Sequence, residues 1–223
     1  MLASGGRRLM GFLESFLVFK HDPDRVGALR LIGEVRKQRT ILLHVDEAFQ
    51  LISLVRRSAK IPGVLAEVGV FQGASAKLIC EVKDGRELYL FDTFEGLPET
   101  GARDAKVFRR GKYAASLSSV REFLDSYPKV QFCPGLFPDS ALGLGHLRFS
   151  LVHLDVDLYE STRRSLEFLY PRLSPGGILL SHDYSSEPGV RMAFDAFFAD
   201  KPETVIELPT SQCIVVRLGG GDL

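Results

Sequence analysis

The chain has 223 residues, of which 28 are basic and 28 acidic, and 45% are hydrophobic. That is enough for one α/β domain with a substantial core, and the cancelled charge argues against a nucleic-acid binder, which carries a basic excess on one face. The pairs Arg7-Arg8, Arg56-Arg57, Arg109-Arg110 and Arg163-Arg164 read as solvated surface, and Cys80, Cys133 and Cys213 lie in apolar runs without metal-type spacing, as in a reduced cytoplasmic protein.

Residues Met1 to Lys20 have a basic start and an apolar patch, LMGFLESFLVF. Glu14 interrupts the patch and no small-residue cleavage site follows. An amphipathic helix for packing is therefore expected, rather than a signal peptide or a membrane span. Phe12, Phe16, Leu17 and Phe19 could pack against a second copy in a homodimer. His21-Asp22-Pro23-Asp24 breaks the helical pattern, with Asp22 as N-cap and Pro23 at the first helical position. Leu29, Ile32 and Val35, then Ile41, Leu42, Val45, Ala48, Phe49, Ile52 and Val55, recur at three- and four-residue spacing. Residues 1–60 are thus expected to be a helical cap, with 61–223 as the main domain.

After Ile61-Pro62-Gly63 the chain alternates. Strands are expected at Val64–Val70, Leu88–Asp92, Val130–Cys133, Ser150–Val156, Ile178–Ser181, Thr204–Leu208 and Cys213–Leu218. Helices are expected at Ala74–Val82, Ser119–Ser126, Tyr159–Leu173 and Glu187–Asp200. Strands separated by helical segments imply βαβ units and a mainly parallel sheet. Only Pro209-Thr210-Ser211-Gln212 separates the last two strands, so they must pair as an antiparallel hairpin. Residues 99–118 show no strong period and read as a mobile excursion near the site.

The segment from Val64 to Asp92 carries the first chemical signal. An apolar strand is followed by Glu67, Gly69, Gly73 and Ser75, an amphipathic helix, a second strand and then Asp92. Doubly wound sheets bind adenosine-bearing cofactors at such a turn, with the acid accepting ribose hydroxyls. Gly73, with no Cβ, would let backbone approach the ligand. The spacing does not fit a dinucleotide: G-x-G-x-x-G is missing, and Val68, Phe71 and Ala74 occupy the nearby positions. Glu67 would repel phosphate but suits a cation such as the amino group of S-adenosyl-L-methionine. A dehydrogenase is disfavoured for want of the third glycine.

The second signal lies at two later strand ends. Leu154-Asp155-Val156-Asp157 and Ser181-His182-Asp183-Tyr184 both fall where open α/β sheets bind ligands. Asp155 and Asp183 could meet across adjacent strands with His182 or Asp157 beside them, and Asp155, His182 and Asp183 could hold a divalent metal, Mg²⁺ or Mn²⁺, which would lower the pKa of a bound hydroxyl. His182 could equally act as a base without metal. Asp157 could cap the helix at Tyr159, and Asp183 a turn before Pro188. His153 shares strand parity with Asp155 and could support it. His21, His44 and His146 read as surface or packing residues.

Five blocks together resemble the macrocin O-methyltransferase family, a branch of the class I S-adenosylmethionine-dependent methyltransferases acting on sugar hydroxyls of natural products. They are Glu67–Ser75, Phe91–Pro98, Gly135–Ser140, Leu154–Thr162 and Pro175-Gly176-Gly177 through Tyr184. The resemblance runs from about Pro62 to Leu218. It implies a Rossmann-like seven-stranded sheet, order 3-2-1-4-5-7-6, closed by the C-terminal antiparallel hairpin. It places Glu67, Gly69, Phe71, Gly73 and Ser75 along the methionine part of the cofactor. Asp92 falls at the ribose, Cys133 to Phe137, including Gly135, at the adenine, and Thr93 counts among the cofactor-binding residues. Asp155 and His182-Asp183 fall on the family's metal positions, although the macrolide-sugar and aminocoumarin members usually carry two adjacent acids where this chain has His182-Asp183. The implied activity is O-methylation of a small-molecule hydroxyl acceptor. A metal-dependent hydroxylase on the same scaffold and a non-catalytic S-adenosylmethionine-binding protein are the rival readings.

Overall fold

A computed structural model describes residues 22–219. The apolar patch around Phe12, Phe16, Leu17 and Phe19 lies outside the described residues. Two helices come first, α1 (Pro23–Arg36) and α2 (Val45–Arg57). They are followed by β1 (Val64–Val68), α3 (Ala74–Val82), β2 (Leu88–Asp92), α4 (Leu117–Leu124), β3 (Val130–Pro134), β4 (Phe149–Leu154) and α5 (Tyr159–Leu169). The chain finishes with β5 (Leu173–Ser181), α6 (Pro188–Phe198), β6 (Ile206–Glu207) and β7 (Cys213–Val216). The sheet order is β3-β2-β1-β4-β5-β7-β6. The first five strands run parallel, and β7 is antiparallel to both β5 and β6, as the short connection required.

Strand side chains alternate between two apolar layers. Leu65, Leu88, Leu90, Leu151 and Leu180 face one cluster, which also contains Ala28, Ile32 and Val35 of α1, Leu51, Ile52 and Val55 of α2, and Leu78 and Ile79 of α3. Ala66, Val68, Phe91, Val152, Leu154 and Leu179 face the other, closed by Leu166 and Leu169 of α5 and Phe194 and Phe198 of α6. Helices α1 and α2 therefore share one core with the sheet. No described helix is long and apolar enough to cross a membrane. Cys80, Cys133 and Cys213 are free.

Several boundaries differ from expectation for local reasons. Asp22 does cap α1, accepting the Asp24 and Arg25 N–H groups, but the buried stripe is led by Ala28 rather than Leu29. Ile41 and Leu42 precede α2, which starts only after His44. The expected helix Tyr159–Leu173 stops at Leu169, because Pro171 has no N–H to continue it; a 3₁₀ turn follows at Tyr170–Arg172. β5 begins at Leu173 rather than Ile178, with a register shift against β4 at Phe149/Leu151 that absorbs Pro175-Gly176. β1 and β4 end at Val68 and Leu154, two residues short of expectation in each case, where the backbone turns into the site. β6 is only two residues long.

Residues 99–116 fold into a pinned loop, and 117–118 open α4. Leu97 N–H donates to Lys112 O at 2.8 Å and Gly111 N–H to Leu97 O at 2.9 Å. Phe108 packs with Leu97 and Leu158 in a small third cluster. Asp104 Oδ1 accepts the Tyr159 N–H at 2.8 Å and so caps α5 from 55 residues away. That is the capping role the sequence offered to Asp157.

Candidate active site

The carboxyl ends of β2, β1, β4 and β5 lie side by side and open into a cleft of about 350 Å³. The volume is in the range of small-molecule sites, roughly 300–1,000 Å³. Gly69, Phe71, Ser75, Asp92, Thr93, Asp155, Asp157, His182 and Asp183 all line it. Thr40–Leu43, between α1 and α2, form one wall, and Val107, Phe108, Lys112 and Tyr113 of the pinned loop form another.

The first turn is built around Asp92. Its Oδ2 accepts the N–H groups of Val70 at 2.6 Å and Phe71 at 2.9 Å, and its Oδ1 accepts that of Phe94 at 2.7 Å. A carboxylate has about four acceptor positions, so one remains for a ligand hydroxyl. Thr93 Oγ1 donates to Gly96 O at 2.7 Å and holds the following turn. Gly69 has φ of +90°, and a Cβ there would come to 1.7 Å from the Asp155 carbonyl oxygen. Gly73 has a structural role of its own. It is the left-handed N-cap of α3, with φ of +80°, and the space of its missing Cβ is taken by Val120 Cγ1 at 2.9 Å. Gly73 and Gly135 stand outside the cleft lining.

Glu67 is also behind the wall. It is fully buried, and its Oε1 pairs with His153 Nδ1 at 2.9 Å across the β1–β4 ladder. Burial raises its pKa, against the opposing pull of His153. Its Oε2 and His153 Nε2 have no protein partner. His153 thus makes its direct contact with Glu67 and acts on Asp155 only through its charge.

At the other strand ends, Asp155, His182 and Asp183 converge. Each offers a donor atom, and the three atoms lie within 4.8 Å of one another. His182 Nδ1 is 3.2 Å from Asp155 Oδ1 and 3.0 Å from Asp183 Oδ2. Burial alone would disfavour a charged imidazole; the neighbouring carboxylates outweigh it and hold His182 well above the ordinary histidine range. His182 in turn holds Asp155 below the usual carboxylate range despite burial. Asp157 is pushed up to about 8 by burial and by the charges of Asp155 and Asp183. The cluster therefore concentrates negative charge around one positive position. Two carboxylates and an imidazole are a donor set that fits a divalent cation such as Mg²⁺ or Mn²⁺.

Backbone strain gathers here as well. Among the described residues seven non-glycines have positive φ, and four of them, Phe71, Tyr113, Asp157 and Asp183, line the cleft. Sequence reasoning missed Glu47. It lies in the first turn of α2, is 1% exposed, and its Oε2 stands 3.3 Å from His182 Nε2. Its buried place is hidden in the sequence by an ordinary helical context; the only signal was its position three residues after His44 at a helix start.

Comparison with known proteins gives a consistent result. The family model described as macrocin-O-methyltransferase (TylF) matches residues 31–211. The 8-demethyl-8-(2,3-dimethoxy-alpha-L-rhamnosyl)-tetracenomycin-C 4'-O-methyltransferase of Streptomyces olivaceus is 39% identical over 56% of this chain and 54% of its own length. Demethyldecarbamoylnovobiocin O-methyltransferase of Streptomyces niveus is 33% identical over 62% of this chain and 59% of its own. The chain thus spans a little over half the length of these relatives. The solved structure of the O-methyltransferase NovP superposes with a TM-score of 0.69 at 26% identity, covering 80% of this chain and 82% of that one.

Proposed function

From the chain's membership of the macrocin O-methyltransferase family, we propose that it is an S-adenosylmethionine-dependent O-methyltransferase whose acceptor is a hydroxyl of a sugar or other secondary metabolite. The observation that carries this reading is the pairing, in one cleft, of the Gly69–Asp92 turn with the Asp155–His182–Asp183 cluster. The relatives' names support the acceptor class. Free, largely buried cysteines support a cytoplasmic setting.

When bound, S-adenosylmethionine supplies a methyl group on a positively charged sulfur, and a divalent cation lowers the pKa of a hydroxyl. The chain's own residues do the rest. Asp92 holds the ribose at its remaining acceptor position. Gly69, Phe71 and Ser75 line the methionine part, with Glu67 supporting the turn from behind. Asp155, His182 and Asp183 hold the metal and place the acceptor oxygen. If no metal binds, His182 serves as a base only after losing the proton that Asp155, Asp183 and Glu47 hold on its ring. Within the expected cap of residues 1–60, the described part from Asp22 onward lies on the acceptor side, a role to which the Thr40–Leu43 wall lends support, and the rest of the described chain forms the methyltransferase domain. The deciding experiment is turnover with S-adenosylmethionine and candidate glycosides. A product heavier by one CH₂ supports the proposal, and one heavier by one oxygen makes the protein a hydroxylase.

Asp92→Ala is expected to weaken S-adenosylmethionine binding by about 1–3 kcal/mol, since charge-assisted hydrogen bonds are lost. Because the same carboxylate accepts three backbone N–H groups, the variant should also melt earlier than the parent. Calorimetry checks the first effect; unchanged affinity, or tighter binding of NAD than of S-adenosylmethionine by the parent, removes the cofactor assignment.

Residues 99–118 rest on one small cluster and a few hydrogen bonds, so they should open before the sheet does. Cofactor and acceptor contacts should close that route. Hydrogen exchange with and without S-adenosylmethionine is expected to slow across this loop. Equal protection in both states makes the loop a fixed connector.

A further inference from the structure

Glu47 does more than cap α2. Its Oε2 accepts the His44 N–H at 2.7 Å, which is the ordinary capping-box bond. Its Oε1 accepts both the Ser211 N–H at 3.1 Å and the Ser211 hydroxyl at 2.6 Å, from the turn between β6 and β7. Its Oε2 also faces His182 Nε2. An exposed cap needs only the first of these bonds. Here a buried carboxylate joins α2, the β6–β7 turn and the end of β5.

The consequence is that the two ring nitrogens are assigned to different partners. An ionised carboxylate only accepts, so Nε2 must carry the hydrogen in that contact. With Nε2 committed to Glu47, Nδ1 is turned between Asp155 and Asp183. Resting on the reading that Asp155, His182 and Asp183 hold a divalent cation, we propose that Glu47 is a positioning residue that fixes His182 with Nδ1 toward the metal, and is itself fixed by His44 and Ser211. Metal-ligating histidines commonly give their other N–H to a carboxylate in this way, and losing that partner typically costs 10–100-fold in metal affinity.

The test is Mn²⁺ titration by electron paramagnetic resonance on the parent, Glu47→Gln, His182→Asp and the double variant, with melting curves to confirm folding. Glu47→Gln is expected to weaken Mn²⁺ binding by roughly 10–100-fold while leaving S-adenosylmethionine affinity unchanged. Added to His182→Asp it should weaken Mn²⁺ no further, because no ring remains to be held. Equal weakening in both backgrounds, or none in either, overturns the proposal. A second readout needs no metal: the His182 Nε2 proton, followed by ¹H–¹⁵N correlation, should exchange with water faster in Glu47→Gln than in the parent. If the parent binds no Mn²⁺, the metal reading falls separately. Glu47 is then judged on this proton, and an unchanged exchange rate overturns its role.

Discussion

Gly69→Ala is expected to lower the melting temperature by on the order of 10 °C and to remove cofactor binding. Two costs add at this position. A non-glycine held at φ of +90° is strained by about 1–3 kcal/mol. The added Cβ would also stand 1.7 Å from the Asp155 carbonyl oxygen, far inside van der Waals contact, and both groups are backbone-anchored. Neither β1 nor β4 can retreat easily, because Asp155 N–H donates to Val68 O at 2.8 Å and Gly69 N–H to Phe91 O at 2.9 Å. Several kcal/mol, at about 2–4 °C each for a chain of this size, gives the expected shift. The displaced group is Asp155 itself, so the damage reaches both halves of the cleft. Gly33→Ala is the control. Gly33 lies inside α1 with open space around its Cβ position, and alanine there should stabilise by about 0.5–1 kcal/mol through helix propensity. Similar melting temperatures for the Gly69 variant and the parent would mean that the strand ends yield without cost.

The contrast between Gly69 and Gly73 says where sequence reasoning reaches. Both glycines were legible as turn residues, and both adopt positive φ. Which of them lines the cleft depends on what packs beside each, and Val120 lies 47 positions beyond Gly73 in the chain. The location of Asp92, Asp155, His182 and Asp183 at strand ends was legible because punctuation at a strand end is a local feature, whereas the strand order came from the family resemblance. Glu67 was legible as an acid in the turn, but its partner His153 is 86 residues away, and that pairing buries it behind the wall. Glu47 was invisible for the same reason. Its partners His182 and Ser211 are 135 and 164 residues distant, and nothing in the helix around it marks a functional carboxylate. The loop 99–118 carried no period because its order comes from three-residue packing and from Asp104 capping a remote helix, neither of which repeats along the chain.

Asp155→Ala is expected to lower turnover by at least three orders of magnitude while sparing S-adenosylmethionine affinity. Asp155 and Asp183 are the two carboxylates that meet His182 Nδ1, and the hydroxyl of a sugar ionises far above neutral pH, so the rate depends on how well this cluster stabilises the developing alkoxide. Metal-assisted charge stabilisation is worth several kcal/mol, and each 1.36 kcal/mol is about tenfold in rate. The cofactor turn is held by Asp92 instead, so its affinity should survive. Chelation with EDTA should match the Asp155 loss in the parent and be reversed by Mg²⁺ or Mn²⁺. His182→Asp then separates the two mechanisms. If His182 is a ligand, the exchange of imidazole for carboxylate keeps activity and moves preference toward Mg²⁺, the harder ion. If His182 is the base, the same variant loses most of the rate and EDTA does nothing. Full activity in EDTA, with no metal found by elemental analysis, discards the cation and leaves proton transfer to the Asp155, His182 and Asp183 cluster, in which His182 must first give up the proton that its carboxylate neighbours hold on it.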